Sequence, residues 1–328
     1  MIELRKRVEQ LEAAAHLIDQ DTLHSARLGL ILLDNFAEII MYDRAKHEFA
    51  RDKYYYGSSG PRWNARKRHK VLDDFDAKVN FFTSEVSLIS SDDGEFLKVA
   101  HQVRNKAYHI DAYHYDIIRQ FTRTSFGMLC KLYPVLRRPG IMTSMSKDES
   151  RFLKRFGLES WSVFDGEKPL GEIFVKLAAS RNCDPDDFAA ALSRNLVRRI
   201  QEIIGNDNEY GRLEVLCDGR PRTEIDPEGM LKWIQFIDSN QNDSTQNGEL
   251  TDEEFRVWVQ KWESDFNEYV APITIEKLRK WKSTAESLGS SRAAGPAAIR
   301  FRSIDEQLDP IEASISQAML ELDLRSNQ

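Results

Sequence analysis

Apolar residues recur at spacings of three and four through most of the first 136 residues, and that rhythm fits one backbone, the amphipathic helix. Val8, Leu11, Ala15 and Ile18 share one face, and Ala26, Leu30, Leu33, Ala37 and Ile40 share the next. In the second run Leu28, Ile31, Leu32, Phe36 and Ile39 spill beyond a single stripe, which marks the central, most enclosed helix, running to about Phe49. Leu72, Phe75, Val79, Phe82, Val86 and Ile89 keep the spacing without a break and predict one continuous helix. Ser90-Ser91-Asp92-Asp93-Gly94 starts another, with Phe96, Val99, Ala100, Val103 and Ala107 as its stripe. Ile118, Phe121, Ser125, Met128, Leu132 and Val135 make a further one, stopped by Arg137-Arg138-Pro139-Gly140. The expectation is an all-α fold: an antiparallel bundle of about five helices over residues 1–140, then a mainly helical C-terminal region.

The remainder keeps a helical but less regular pattern. Residues 141–290 are expected to form a helical accessory or regulatory domain, with helices at Leu170–Ala179, Pro185–Ile204, Pro227–Ile237, Asp252–Tyr269 and Ile275–Leu288 among others. Five of the six tryptophans lie here, enough to anchor a core. Residues 291–328 are expected to comprise a linker and an amphipathic helix. The linker reading covers Leu288 to Ala298, rich in Gly, Ser and Ala. The helix places Ile311, Ile315, Met319 and Leu322 on one face, to dock back or onto a partner.

Charge narrows the function classes. The net charge is -7 and 30% of residues are charged. No apolar run approaches the roughly 20 residues of a membrane span. The opening residues lead into an amphipathic segment rather than a signal peptide. Cys130, Cys183 and Cys217 lie far apart, make no zinc pattern, and their odd number argues against a disulfide framework, so a reducing, cytoplasmic setting is expected. All seven histidines fall within the first 114 residues. Residues 1–140 carry 22 Lys and Arg against 19 Asp and Glu, whereas the rest carries 24 against 34. The mildly basic first part is compatible with a phosphate-bearing partner.

Residues suited to chemistry cluster in Val103-Arg104-Asn105-Lys106-Ala107-Tyr108-His109. An arginine offers a planar fork of donors that fits phosphate, and a histidine exchanges a proton near neutral pH. On a helix whose stripe is Phe96, Val99, Ala100, Val103 and Ala107, the groups His101, Arg104, Asn105, Tyr108 and His109 fan across the opposite side. A solvated helical face is the plain alternative. Arg66 and Arg68, in the run Arg66-Lys67-Arg68-His69-Lys70, lie near Tyr54, Tyr55, Tyr56 and Trp63. They read either as a grip on a single strand through charge and stacking, or as a solvated first turn. A third candidate is an EF-hand-like loop over 243–254. Asp243, Thr245 and Asn247 stand at its odd positions, Gly248 at the sixth and Glu254 at the twelfth, with Glu249 joining the candidate calcium ligands. The competing reading is a polar loop in which Thr251 caps a helix and Glu254 closes a capping box.

An arginine followed by a polar residue, then three residues and a histidine, late in the penultimate helix of such a bundle, resembles the HEPN superfamily. Arg104, Asn105 and His109 carry the resemblance, which covers roughly residues 1–140. It implies a metal-independent endoribonuclease of the toxin–antitoxin or abortive-infection type, working as a homodimer whose two motifs face each other. RNA brings its own nucleophile, the 2′-hydroxyl, so no metal-activated water is required. His109 would then act as general acid or base, Arg104 would stabilise the phosphorane-like transition state, and Asn105 would orient the histidine or hold a phosphate oxygen. Tyr108, His101, Lys106, Arg66 and Arg68 are the candidate RNA-binding residues. An antitoxin or other regulatory protein is the implied partner, and no cofactor is required. Two readings from other classes stay open: a HEPN bundle kept as a non-catalytic RNA-binding or dimerisation module, and a calcium-responsive helical adaptor.

Overall fold

The structure is a computed structural model that describes residues 2–55, 60–109, 115–137, 151, 154–156, 168–179, 185–206, 209–218, 226–244 and 261–326. Its regular elements are all helices, and among the described residues the only β pairing is an isolated bridge between Asn206 and Glu209. The chain divides into two compact units, residues 1–191 with 290–299, and residues 192–289 with 300–328.

The first unit is built on a long central helix. α1 (Ile2–Asp19) and α2 (Leu23–Tyr55) pack side by side, joined by a tight turn at Asp21, whose φ is +51°. Arg119 and Arg123 reach back to the Asp21 carboxylate and hold that turn. α3 (Ala65–Asp73) and α4 (Phe75–Asn80) follow, then α5 (Ser91–His109), α6 (Tyr115–Leu136) and α7 (Lys168–Ala179). The expected stripes are buried: Val8, Leu11, Ala15 and Ile18 on α1, Leu30, Leu33, Phe36 and Ile40 on α2, and Phe96, Val99 and Val103 on α5.

The run from Leu72 to Ile89 is not one helix. Asp74 adopts an extended conformation, closes α3, and caps α4 by accepting from the Ala77 N–H at 2.6 Å. A π-helical turn over Phe81–Glu85 follows, and Ser87 takes a left-handed φ of +56°. Leu88 and Ile89 both donate to the Phe82 carbonyl, which ends the segment. The apolar spacing ran on because both pieces face the same core, and periodicity does not register a capping aspartate.

Two boundaries also differ from expectation. The first unit extends past residue 140, because Ile173, Phe174 and Ala178 of α7 enter the same core as Tyr133 and Leu136. The expected linker is shorter than its composition suggests: only residues 289–293 lie between helices, and α12 runs from Ala294 to Ser326, with Ala297 and Ala298 fully buried. Gly295 is required there, since a Cβ would lie 2.2 Å from the Asp92 carbonyl oxygen. Pro296 falls in the first turn, where its missing N–H costs nothing.

The second unit contains α9 (Arg212–Asp218), α10 (Pro227–Ser244) and α11 (Ile275–Leu288), together with the later parts of α8 (Pro185–Ile204) and α12. Trp233 and Phe236 of α10 meet Trp262 and Phe266 edge to face, so the aromatic anchor expected from composition is present. Ile311 and Ile315 of α12 are buried within this unit. Among the described residues no helix is long and apolar enough to cross a membrane.

Cys130 lies inside α6, where burial pushes its thiol up to about 12. At pH 8 roughly 10⁻⁴ of it is then thiolate, the reactive form. Iodoacetamide is expected to leave Cys130 unmodified in the folded protein and to label it after denaturation, as read by peptide mass analysis.

Candidate functional site

α5 is fixed at its start by Ser90, whose hydroxyl accepts from the Asp93 N–H at 3.1 Å and donates to the Asp93 carboxylate at 2.7 Å. Asp92 and Asp93 in the first turn suit the positive end of the helix dipole. With the stripe from Phe96 to Ala107 packed inward, the rotation of α5 is set, and so is the side on which the polar groups emerge.

Two of those groups turn onto α2. His101 and Arg104, three residues apart, both meet Asp34, a carboxylate only 7% exposed. His101 Nδ1 lies 2.9 Å from Asp34 Oδ1, and Arg104 Nε lies 3.2 Å from Asp34 Oδ2. The arginine contact is a charge contact, because the Nε–H is not aligned for a hydrogen bond. Arg104 Nη1 donates to Asn105 Oδ1 at 2.6 Å. The Phe75 ring stacks on His101 with centroids 4.1 Å apart and planes 7° apart. The void beside the carboxylate, about 10 Å³ and at the lower limit for one water, is lined by Leu33, Ala37, Leu97, Ala100 and Leu129 and by Ser125, whose hydroxyl makes no hydrogen bond to it. Asp34 therefore depends on His101 and Arg104 for its compensation.

The groups are recessed but reachable. The His101 and Arg104 side chains are 22% and 28% exposed, and Tyr108, a turn further on, is 66% exposed. Asn105 and Lys106 are half-buried. α5 extends to His109, whose side chain lies outside the described residues. The fan is thus split: Tyr108 faces outward, whereas His101 and Arg104 fold against a neighbouring helix.

The second candidate cluster separates in the same way. Arg68 is committed to the interior of its own unit: Nη2 donates to Asp52 at 2.9 Å and Nε to the Trp63 carbonyl at 2.8 Å. Lys67 pairs with Glu85 at 2.6 Å. Trp63 is buried edge-on against Phe49 and Phe81, so its ring is closed to base stacking. Arg66 stays exposed beside His69 and Lys70, around a shallow surface hollow of about 580 Å³. Positive charges in the first turn of α3, at the wrong end for its dipole, are offset by the carboxylates of Asp52 and Glu85.

Asp52 also receives the Arg62 and Trp63 N–H groups at 2.9 and 3.2 Å. Burial opposes its ionisation, but those two N–H groups and the Arg68 guanidinium hold the carboxyl below its usual 3.8. A depressed carboxyl stabilises fully above that value, and the stabilisation is lost as pH falls through the lower folded one. Asp52→Asn is therefore expected to melt well below the wild type at neutral pH, with the gap closing in acid below about pH 3.8, as followed by circular dichroism.

Of the EF-hand-like set, Asp243 falls in the last turn of α10 with its side chain outside the described residues, and Thr245, Asn247, Glu249 and Glu254 lie outside them entirely. Among the described residues no group of three or more His, Cys, Asp or Glu is arranged to hold a metal ion.

Asp34 is the member of the site that the motif did not name. It sits between Leu30, Leu33 and Ala37, so a charge interrupts an apolar face of α2, and that interruption is its visible signal. No family model, no curated protein and no solved structure matches the chain.

Proposed function

We propose that the helical bundle is a HEPN-type, metal-independent endoribonuclease acting as a homodimer, in a toxin or anti-phage setting with a regulatory protein partner. The observation that supports this reading is the placement of Arg104: recessed, held at Nε by Asp34 and at Nη1 by Asn105, and still partly open to solvent. A guanidinium oriented before substrate arrives is what stabilisation of a developing phosphorane charge requires. His109 supplies the proton transfer, Asn105 holds the fork, and Tyr108, Lys106 and exposed Arg66 contact the strand. Arg68 drops out of the contact set because Asp52 holds it.

One observation favours a second reading, the non-catalytic binding or dimerisation module. Asp34 neutralises Arg104, so the pair also serves as a brace between α2 and α5. The experiment is cleavage of single-stranded RNA by purified protein with EDTA present. Fragments ending in a 2′,3′-cyclic phosphate support the ribonuclease, whereas intact RNA that is nevertheless bound supports the module.

A further inference from the structure

We propose that His101, oriented by Asp34, is a second proton-transfer group beside Arg104, the base that complements His109 as acid. The role lies outside the Arg104–His109 motif and rests on the ribonuclease reading. A carboxylate 2.9 Å from Nδ1 fixes that nitrogen as the protonated one and leaves the Nε2 lone pair on the far edge of the ring. The Phe75 ring, nearly parallel at 4.1 Å, removes the remaining freedom of the imidazole plane. An aspartate–histidine couple with its ring clamped is the arrangement that pre-orients a general base. The other oxygen of the same carboxylate meets Arg104, so base and cation lie on one face of α5, separated by about 4.5 Å of helical rise. A phosphodiester seated on Arg104 brings its adjoining ribose to that edge.

Nε2 of His101 takes the 2′-hydroxyl proton as the 2′-oxygen bonds to phosphorus. The bond from phosphorus to the 5′-oxygen breaks, and the leaving oxygen takes its proton from the His109 imidazolium. Products are a 2′,3′-cyclic phosphate and a 5′-hydroxyl, and solvent restores both histidines. Asp34 acts through His101 and Arg104 and is a positioning residue.

The test uses the full chain, a single-stranded RNA oligonucleotide and EDTA. His101→Ala should lower kcat by about 10²-fold or more with KM little changed, and added imidazole should restore part of the rate by occupying the space over Phe75. Asp34→Asn should lower kcat with KM little changed. A wild type that cleaves while folded His101→Ala stays within about threefold of it overturns the proposal and leaves the ribonuclease reading standing, with the couple a structural brace. A wild type that cleaves nothing overturns both. Should His101→Ala fail to fold, His101→Asn, which keeps a donor toward Asp34, decides, and a rate within about threefold of the wild type overturns the proposal.

Discussion

Alanine at Arg104 or at His109 is expected to remove cleavage of single-stranded RNA in EDTA, by about 10²–10³-fold for the arginine and about 10²–10⁴-fold for the histidine. The two losses should differ in kind. Arg104 is tied into the bundle through Asp34, and its deletion leaves that buried carboxylate with His101 alone. Arg104→Ala should therefore lower the melting temperature as well as the rate. His109 is the last residue of its helix, so His109→Ala removes no i→i+4 support within α5 and is expected to cost less in melting temperature than Arg104→Ala. Arg104→Lys separates charge from shape: a lysine keeps the positive charge but has no fork to meet Asp34, Asn105 and a phosphate together. It should recover much of the stability and little of the rate. Full activity in Arg104→Lys would show that charge alone is used at this position, and full activity in Arg104→Ala would end the ribonuclease reading.

What could be read from the sequence was whatever repeats along the chain. The buried faces of α1, α2 and α5 follow from spacing alone, because a helix that hides one side must place an apolar residue there at each turn. The ends of α8 and α11 were equally visible, at Pro185–Ile204 and Ile275–Leu288. Partnerships across the fold were not. Arg66 and Arg68 look alike in sequence, yet Asp52, sixteen residues before Arg68, takes one of them out of reach of any ligand. The link from Asp34 to His101 spans 67 residues and repeats nowhere, so no period reveals it. The same limit explains the helix that begins inside the expected linker: Gly-Ser-Ser-Arg-Ala-Ala-Gly-Pro-Ala is flexible by composition, yet its last four residues open α12, where Gly295 lets one backbone approach another.

The largest effect on stability is expected at Arg199, in the second unit. Its guanidinium meets three carboxylates of α12: Nη1 contacts Asp305 at 2.6 Å, Nη2 contacts Asp309 and Glu312 at 2.6 Å each, and Nε contacts Glu312 at 3.0 Å. Burial works against the charge, but Glu312 and Asp305 outweigh it and push the arginine's pKa up, so it stays charged at every working pH. The three carboxylates do not depend on it equally. Asp309 and Glu312 keep 35% and 23% of their side-chain surface and can turn to water, whereas Asp305 keeps 2% and cannot. Arg199→Ala should therefore cost about 3–5 kcal/mol, the cost of removing one partner from a buried ion pair, Asp305 being the carboxylate that water reaches least. Removing that charge as well, in Arg199→Met with Asp305→Leu, should recover most of the loss, because an apolar pair needs no compensation. Urea unfolding of the two variants gives the comparison. A double variant no more stable than Arg199→Ala would mean that the arginine holds α12 through shape and packing rather than through the carboxylate it keeps from water.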